Sequence, residues 1–150
     1  MTEVLVISIS KPLLVGVYKD KKLIKVFEND GMTSDVLPLI FEEILKEFKL
    51  DNIYYVNTPG SYMAIKVAYV FLKTLCITQN ISLRACSGFE FNENSPIKAL
   101  GKKYFINSKN GVKVDFLENN SRMSAFKLPD VLKDINFSTQ TLPIYNLPAV

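Results

Sequence analysis

Residues 52–79, NIYYVNTPGSYMAIKVAYVFLKTLCITQ, decide how the chain folds. The first part, residues 53–56, is a continuous apolar run, typical of a strand buried on both faces. Pro59-Gly60 ends that run, since glycine lets the backbone turn tightly. Ser61 stands where an N-cap belongs, so a helix is predicted to begin directly after it.

This second predicted helix is apolar almost all the way round. One face consists of Ile65, Ala68, Tyr69, Leu72, Leu75 and Cys76, and much of the other of Met63, Val67, Val70, Phe71 and Ile77. A surface helix of a small domain needs only one apolar stripe. We therefore expect one face to pack on the chain's own sheet and the other to contact something else.

The residues before this stretch predict three strands and a first helix. Apolar runs at 4–9, 13–18 and 22–28 are joined by turns so short that the strands must form an antiparallel meander. A helix is predicted over 34–48, capped by Thr33 or Ser34, with Pro38 close to its first turn.

Strands at 51–58 and 82–86 each follow a helix, which implies parallel, right-handed crossovers. The resulting order, βββαβαβ, predicts an α/β fold: a mixed sheet with helices packed on it, as in one lobe of the actin-like, ribonuclease H-like ATPases. We place this lobe at residues 1–95.

Residues 96–150 are too few for a complete second lobe of that type. A hairpin is predicted from 102–107 and 112–117, because Asn110-Gly111 supplies turn chemistry between alternating segments. A loop is predicted at 118–123, a short helix at 129–135 and an extended tail at 138–150. The sequence thus predicts a reduced second lobe.

Composition excludes several classes of protein. The chain has 150 residues, 48% of them hydrophobic, which is enough for a real core. It contains no histidine, which excludes Ser-His and Cys-His catalysis and argues against a zinc site. Cys76 and Cys86 lie among apolar neighbours and are interpreted as reduced core residues. The absence of a bilayer-length apolar run and of a basic leader predicts a cytoplasmic protein that does not interact with membranes.

Positive charge is concentrated in the second half. Residues 96–127 carry seven basic and two acidic side chains, whereas the whole chain has a net charge of +3. Lys102, Lys103 and Lys109 lie on or beside the predicted hairpin and are candidate tRNA contacts. The alternative is that these lysines only guard an exposed strand against edge pairing.

Three segments resemble the TsaB (YeaZ) family. Residues 59–68, PGSYMAIKVA, are similar to the family's PGSFTGLRIG, with Pro59, Gly60 and Ser61 identical. Residues 33–40, TSDVLPLI, look like its HSERLLPLI, although Thr33 replaces the histidine. Residues 6–10, VISIS, are similar to its AIDTS, but Ser8 stands where aspartate is usual. The resemblance covers about residues 4–90.

The resemblance implies a role in tRNA modification. TsaB-like proteins are non-catalytic relatives of TsaD, with which they install threonylcarbamoyl on adenosine of tRNA together with the ATPase TsaE. ATP and metal are then expected on the partner, with no cofactor, metal or catalytic residue here and with tRNA met indirectly. The family pairs through the two helices of the first lobe, here predicted over 34–48 and 61–77, and it also forms homodimers through them. The residues expected to bind the partner are Val36, Leu37, Ile40, Phe41, Leu45, Tyr62, Ile65, Tyr69, Leu72 and Lys73.

A second function stays open from the residues alone. The loop formed by Pro59, Gly60 and Ser61 opens a helix, and the N–H groups there are able to bind an anion. The chain would then be a small nucleotide- or metabolite-binding enzyme of the sugar-kinase-like fold. Against this, Ser8 occupies the first-strand position and no Gly-rich phosphate loop is present. An ordinary turn and cap at residues 59–61 is the simpler interpretation.

Overall fold

The computed structural model describes residues 1–118 and 122–146. Its first half contains β1 (Thr2–Ile7), β2 (Leu13–Lys19), β3 (Lys22–Asn29), α1 (Thr33–Glu47), β4 (Asn52–Thr58), α2 (Tyr62–Gln79) and β5 (Ser82–Ser87). These five strands form one sheet in the order β3-β2-β1-β4-β5. β1 pairs antiparallel with β2 and parallel with β4, β2 pairs antiparallel with β3, and β4 pairs parallel with β5. The predicted βββαβαβ mixed sheet is therefore confirmed.

Both helices pack on the same face of this sheet. Alternate residues of β1 point to opposite faces, so Val4 and Val6 lie beneath the helices. From the helices, Leu37 and Phe41 of α1 and Leu72 of α2 are buried in this core.

The opposite face is covered by residues from the second half. Leu5 and Ile7 of β1 are completely buried there. They share a core with Phe91, Leu128 and Leu132. The residues beyond 95 therefore cover the face of the main sheet that the helices leave open, in addition to forming a small sheet of their own.

The second half contains a small sheet in the order β6-β7-β8, formed by β6 (Ile97–Lys98), β7 (Lys103–Ser108) and β8 (Gly111–Phe116). The hairpin predicted from Asn110-Gly111 is confirmed, because β7 and β8 pair antiparallel around that turn. The inner face of this sheet buries Ile97 and Phe105. A 3-10 turn, Gly88–Phe91, leads from β5 to this region.

Two predictions about local structure are wrong. The short helix predicted over 129–135 does not form. The segment runs along the edge of β3 instead. Val131 forms an antiparallel β-bridge with Lys22, and the N–H of Leu23 donates to the carbonyl oxygen of Asp130 at 2.9 Å. Helix α1 is not capped by Thr33 or Ser34, since Met32 is its N-cap residue and supplies no side-chain hydrogen bond.

The tail runs alongside the carboxyl ends of β4 and β5. Ser138 forms an isolated antiparallel β-bridge with Ala85. The Tyr55 hydroxyl donates a hydrogen bond to the carbonyl oxygen of Thr141, and Asn57 Nδ2 donates to the carbonyl oxygen of Leu142 at 2.9 Å.

Parts of two predicted segments, 119–121 of the loop and 147–150 of the tail, lie outside the described residues. Among the helices described, neither is long and apolar enough to cross a membrane.

Candidate interaction surface

Helix α2 is held against the sheet by one side only. The Ser61 side chain accepts a hydrogen bond from Ala64 N–H at 3.5 Å, which confirms the predicted N-cap. Its buried side consists of Ile65, Ala68, Leu72 and Cys76. Burial raises the pKa of the Cys76 thiol to about 11, so this cysteine is protonated and unreactive at neutral pH, in agreement with its interpretation as a core residue.

The other side of α2 carries apolar residues that nothing in the described chain covers. Met63 is 60% exposed, Val70 55% and Ile77 71%. These positions are seven residues apart, and Val67 and Thr74 lie between them, so the spacing along the helix is four, three, four, three. That spacing places all five on one line along the helix, as in helices that pack lengthwise against another helix. We call Met63, Val67, Val70, Thr74 and Ile77 the apolar stripe.

The apolar stripe borders a groove between α1 and α2. The groove has a volume of about 430 Å³, and its walls are Thr33, Ser34, Pro38, Met63, Lys66, Val67, Val70, Phe71 and Thr74. The ring of Phe71 contacts the buried ring of Phe41, with centroids 5.8 Å apart. Contact between these rings holds the two helices together beneath the groove.

The two helices differ in charge. Helix α1 carries four acidic side chains and one basic, and its Glu42 pairs with Lys46 at 3.5 Å. Helix α2 carries Lys66 and Lys73 and no acidic residue. The Lys66 ammonium lies 5.5 Å from the ring centroid of Tyr62, at the mouth of the groove. The candidate surface is therefore an apolar groove between a helix of net charge −3 and a helix of net charge +2.

Two solved structures resemble the chain over 99% of its length. One is YeaZ from Pseudomonas aeruginosa, with a TM-score of 0.59, 10% sequence identity and 71% of that chain covered. The other is described as an uncharacterized protein with similarity to peptidase YeaZ, from Pseudomonas aeruginosa, with a TM-score of 0.56, 11% identity and 69% of that chain covered. The chain has the YeaZ fold.

This finding confirms, at the level of fold, the resemblance to YeaZ inferred from residues 4–90. It also confirms the actin-like, ribonuclease H-like class predicted from the order of strands and helices. No protein-family model matches the sequence, and no curated protein matches it.

Within the YeaZ fold, most of the predicted partner-binding residues lie in the core. Six of them are buried: Val36, Leu37, Ile40, Phe41, Ile65 and Leu72. Leu45, Tyr62 and Tyr69 are half-buried, and Lys73 is exposed. The six buried side chains already fill the space between helices and sheet, so they are unavailable for direct contact with a partner. Of the predicted set, only Leu45, Tyr62, Tyr69 and Lys73 reach the surface.

Sequence reasoning separated the two faces of α2 and expected one of them to contact something other than the sheet. It nevertheless took Ile65, Tyr69 and Leu72 as partner-binding residues, and these belong to the face that packs on the sheet. The signal for the outer face was the alternating four- and three-residue spacing of the apolar stripe, which is visible in the sequence. No such signal in the sequence indicates that Pro38 of α1 lines the groove, because this depends on how close α1 lies to α2.

The loop formed by Pro59, Gly60 and Ser61 lies beside a second cavity of about 310 Å³. This cavity is at the carboxyl end of β1, where Ser8 and Lys11 meet the first residues of α1 and α2. The side chain of Ser8 donates to the carbonyl of Ala64 at 3.4 Å. Gly60 is required in this loop, since a Cβ there would lie 2.4 Å from Cγ2 of Ile9.

The lysines predicted as tRNA contacts are all exposed. Lys103 begins β7, Lys102 precedes it, and Lys109 lies in the turn between β7 and β8. This small sheet is remote in sequence from the groove. Within residues 1–118 and 122–146, no group of three or more His, Cys, Asp or Glu side chains could hold a metal ion.

Proposed function

We propose that this chain is a TsaB-type partner subunit without catalytic activity of its own. It would pair with a TsaD-like enzyme, served by a TsaE-like ATPase, in the threonylcarbamoylation of adenosine in tRNA. In the absence of that enzyme it would pair with a second copy of itself. The proposal rests on the YeaZ fold together with the motifs at residues 33–40 and 59–68.

The observation that carries the proposal is the uncovered apolar stripe of α2. Exposed apolar surface that is contiguous and bordered by charge marks sites of protein association. Met63, Val70 and Ile77 are each more than half exposed, although an unpartnered surface helix normally turns polar residues outward. Their seven-residue spacing fits a helix of the partner laid along α2.

The groove and its flanks indicate how a partner would bind. A partner helix would place apolar side chains against Val67 and Phe71, and burial of each large one contributes about 1.5–3 kcal/mol. The net negative charge of α1 and the net positive charge of α2 would favour one direction for that helix. In a two-fold homodimer, α1 of one copy would face α2 of the other.

A pair of matched substitutions tests this proposal. Val70→Asp places a charge in the apolar stripe and should abolish both capture of the TsaD-like subunit and self-association. Val26→Asp is the control, because Val26 lies on the edge strand β3, which does not line the groove, and is 48% exposed against 55% for Val70. Affinity capture and sedimentation measure pairing, while thermal melting checks that both variants fold. Full pairing by folded Val70→Asp would contradict the proposal.

The 310 Å³ cavity favours one alternative function. Lys11 and the N-terminal residues of two helices line it, which suits a small anion such as a phosphate group, although Asp30 and apolar side chains such as Leu13 line it as well. The chain would then bind a nucleotide or metabolite by itself. Calorimetric titration of the chain alone with ATP tests this, and micromolar binding that Lys11→Gln abolishes would favour the alternative.

A further inference from the structure

We propose that the outer face of the β6-β7-β8 sheet contacts RNA directly, through its lysines and the ring of Tyr104. The choice of tRNA as the RNA rests on the proposed function. The contact itself goes beyond that function, which requires tRNA to meet only the partner. The proposal is carried by the register of the three strands, the surplus of positive charge and the placement of the aromatic ring.

The register separates the sheet into two faces. Phe105 is buried on the inner face, opposite Ile97 and Val114. Since side chains alternate along a strand, Tyr104 lies on the outer face, with Lys98 opposite it on β6 and Asp115 on β8. Lys113 is on the same face, paired with Ile106.

Positive charge on and around this face is not neutralised. Lys98 and Lys113 lie on the outer face and Lys102 and Lys109 in the adjoining turns, whereas Lys103 shares the parity of Phe105 and lies on the other face. In the part of the chain that the structure describes, none of them forms an ion pair. The single acid of these strands, Asp115, uses Oδ1 to accept a hydrogen bond from Phe116 N–H at 2.7 Å. Such surplus charge attracts a phosphate backbone.

An aromatic ring lies among these charges. The Lys98 ammonium is 5.8 Å from the ring centroid of Tyr104, within the range of a cation–π contact. Protection of a strand edge requires lysine alone and no aromatic ring on the face. A half-buried ring on a strand face, with Lys98 on one side and Asp115 on the other, offers a surface on which unpaired RNA bases can stack. This observation favours RNA over an anionic membrane.

The test measures binding of the full chain to an unmodified, fluorescently labelled tRNA by anisotropy between 50 and 200 mM KCl. Lys98→Gln/Lys113→Gln should weaken binding and reduce the log–log salt slope by about 1.5, because each phosphate contact contributes about 0.7–0.9. Lys19→Gln/Lys49→Gln removes the same charge from exposed positions elsewhere and should leave the slope unchanged. Tyr104→Leu should lower affinity at least about fivefold with no change in slope.

Three results would overturn the inference: no tRNA binding at 50 mM KCl, equal losses in the two double variants, or binding to phosphatidylserine vesicles that exceeds binding to tRNA. Val70→Asp is measured beside them, and it should bind tRNA as the unchanged chain does. Pairing of Val70→Asp tests the proposed function, and tRNA binding by the lysine and Tyr104 variants tests this inference. One can therefore fail while the other holds.

Discussion

Glu3 is the only charged residue buried among the described residues, at 1% exposure. Its Oε2 accepts hydrogen bonds from Asn52 Nδ2 at 2.9 Å and from the hydroxyl of Tyr54. Its Oε1 has no hydrogen bond of good geometry, but the Lys21 ammonium lies 2.9 Å away. Burial by itself raises the pKa of Glu3, yet hydrogen bonds from Tyr54, Lys21 and Asn52 outweigh it and lower the pKa below its ordinary value.

The sign of this shift predicts how stability depends on pH. A lowered pKa in the folded state stabilises the protein above the unfolded-state pKa of about 4.3, and this contribution is lost as pH falls through the folded-state value. Glu3→Gln should therefore lower the free energy of unfolding at pH 7 by about 1–3 kcal/mol, with a smaller difference at pH 3. Urea denaturation at both pH values measures it.

Glu47→Gln is the control for this prediction. Glu47 also pairs with a lysine, Lys25 at 3.1 Å, but its side chain is 56% exposed. An exposed ion pair contributes about 0–1 kcal/mol, so this change should be nearly neutral. A loss at Glu3 that is the same at pH 3 and pH 7 would show that packing, and not charge, explains its burial.

At the scale of the element, the two helices begin differently. Ser61 caps α2, whereas α1 begins at Met32, which has extended backbone (φ −68°, ψ 139°), is 70% exposed and offers no side-chain acceptor. The backbone at Met32 thus already has the conformation of an N-cap. Only an acceptor side chain is missing.

Met32→Ser should therefore raise the free energy of unfolding by about 1 kcal/mol, because serine can accept a hydrogen bond from the first turn of α1. Little apolar burial is lost, since Met32 is mostly exposed. Met32→Ala removes the same side chain without adding an acceptor and is the matched control. Equal stability of the two variants in urea denaturation would refute the capping argument.

At the scale of the whole molecule, the residues beyond 95 complete a core. Leu128 and Leu132 are 6% and 4% exposed and pack with Leu5, Ile7 and Tyr18 on the face of the sheet away from the helices. The Tyr18 hydroxyl also donates to the carbonyl of Pro129 at 2.7 Å. The first 95 residues by themselves would leave most of this face exposed to water, because Phe91 would remain to cover it while Leu128 and Leu132 would be lost.

A fragment of residues 1–95 should therefore lack a cooperative thermal transition and should bind the dye ANS, as expected when a sheet loses the cover of one face. A fragment of residues 1–137 keeps Leu128 and Leu132 but loses the tail contacts to Tyr55 and Asn57. It should melt cooperatively at a reduced temperature. Circular dichroism measures both, and cooperative melting of the shorter fragment would show that residues 1–95 fold independently.

Local patterns were enough to predict most elements of the fold. Short turns specified the meander, alternation specified the hairpin, and the run at 52–79 specified a strand, a cap and a helix, because each depends on neighbours in sequence. The predicted helix at 129–135 failed for the opposite reason. Its backbone hydrogen bonds go to the residues around Lys22, more than a hundred positions away, and no local pattern records such a partner.

The sequence by itself determined the order of strands and helices, the N-cap of α2 and the presence of two apolar faces on that helix. Only the tertiary structure decided which face is free, because that depends on which side of α2 the sheet occupies. The sheet buries Ile65 and Leu72 and leaves Met63 and Val70 outward. Apolar side chains are alike in the sequence, and burial distinguishes them only once distant segments have packed together.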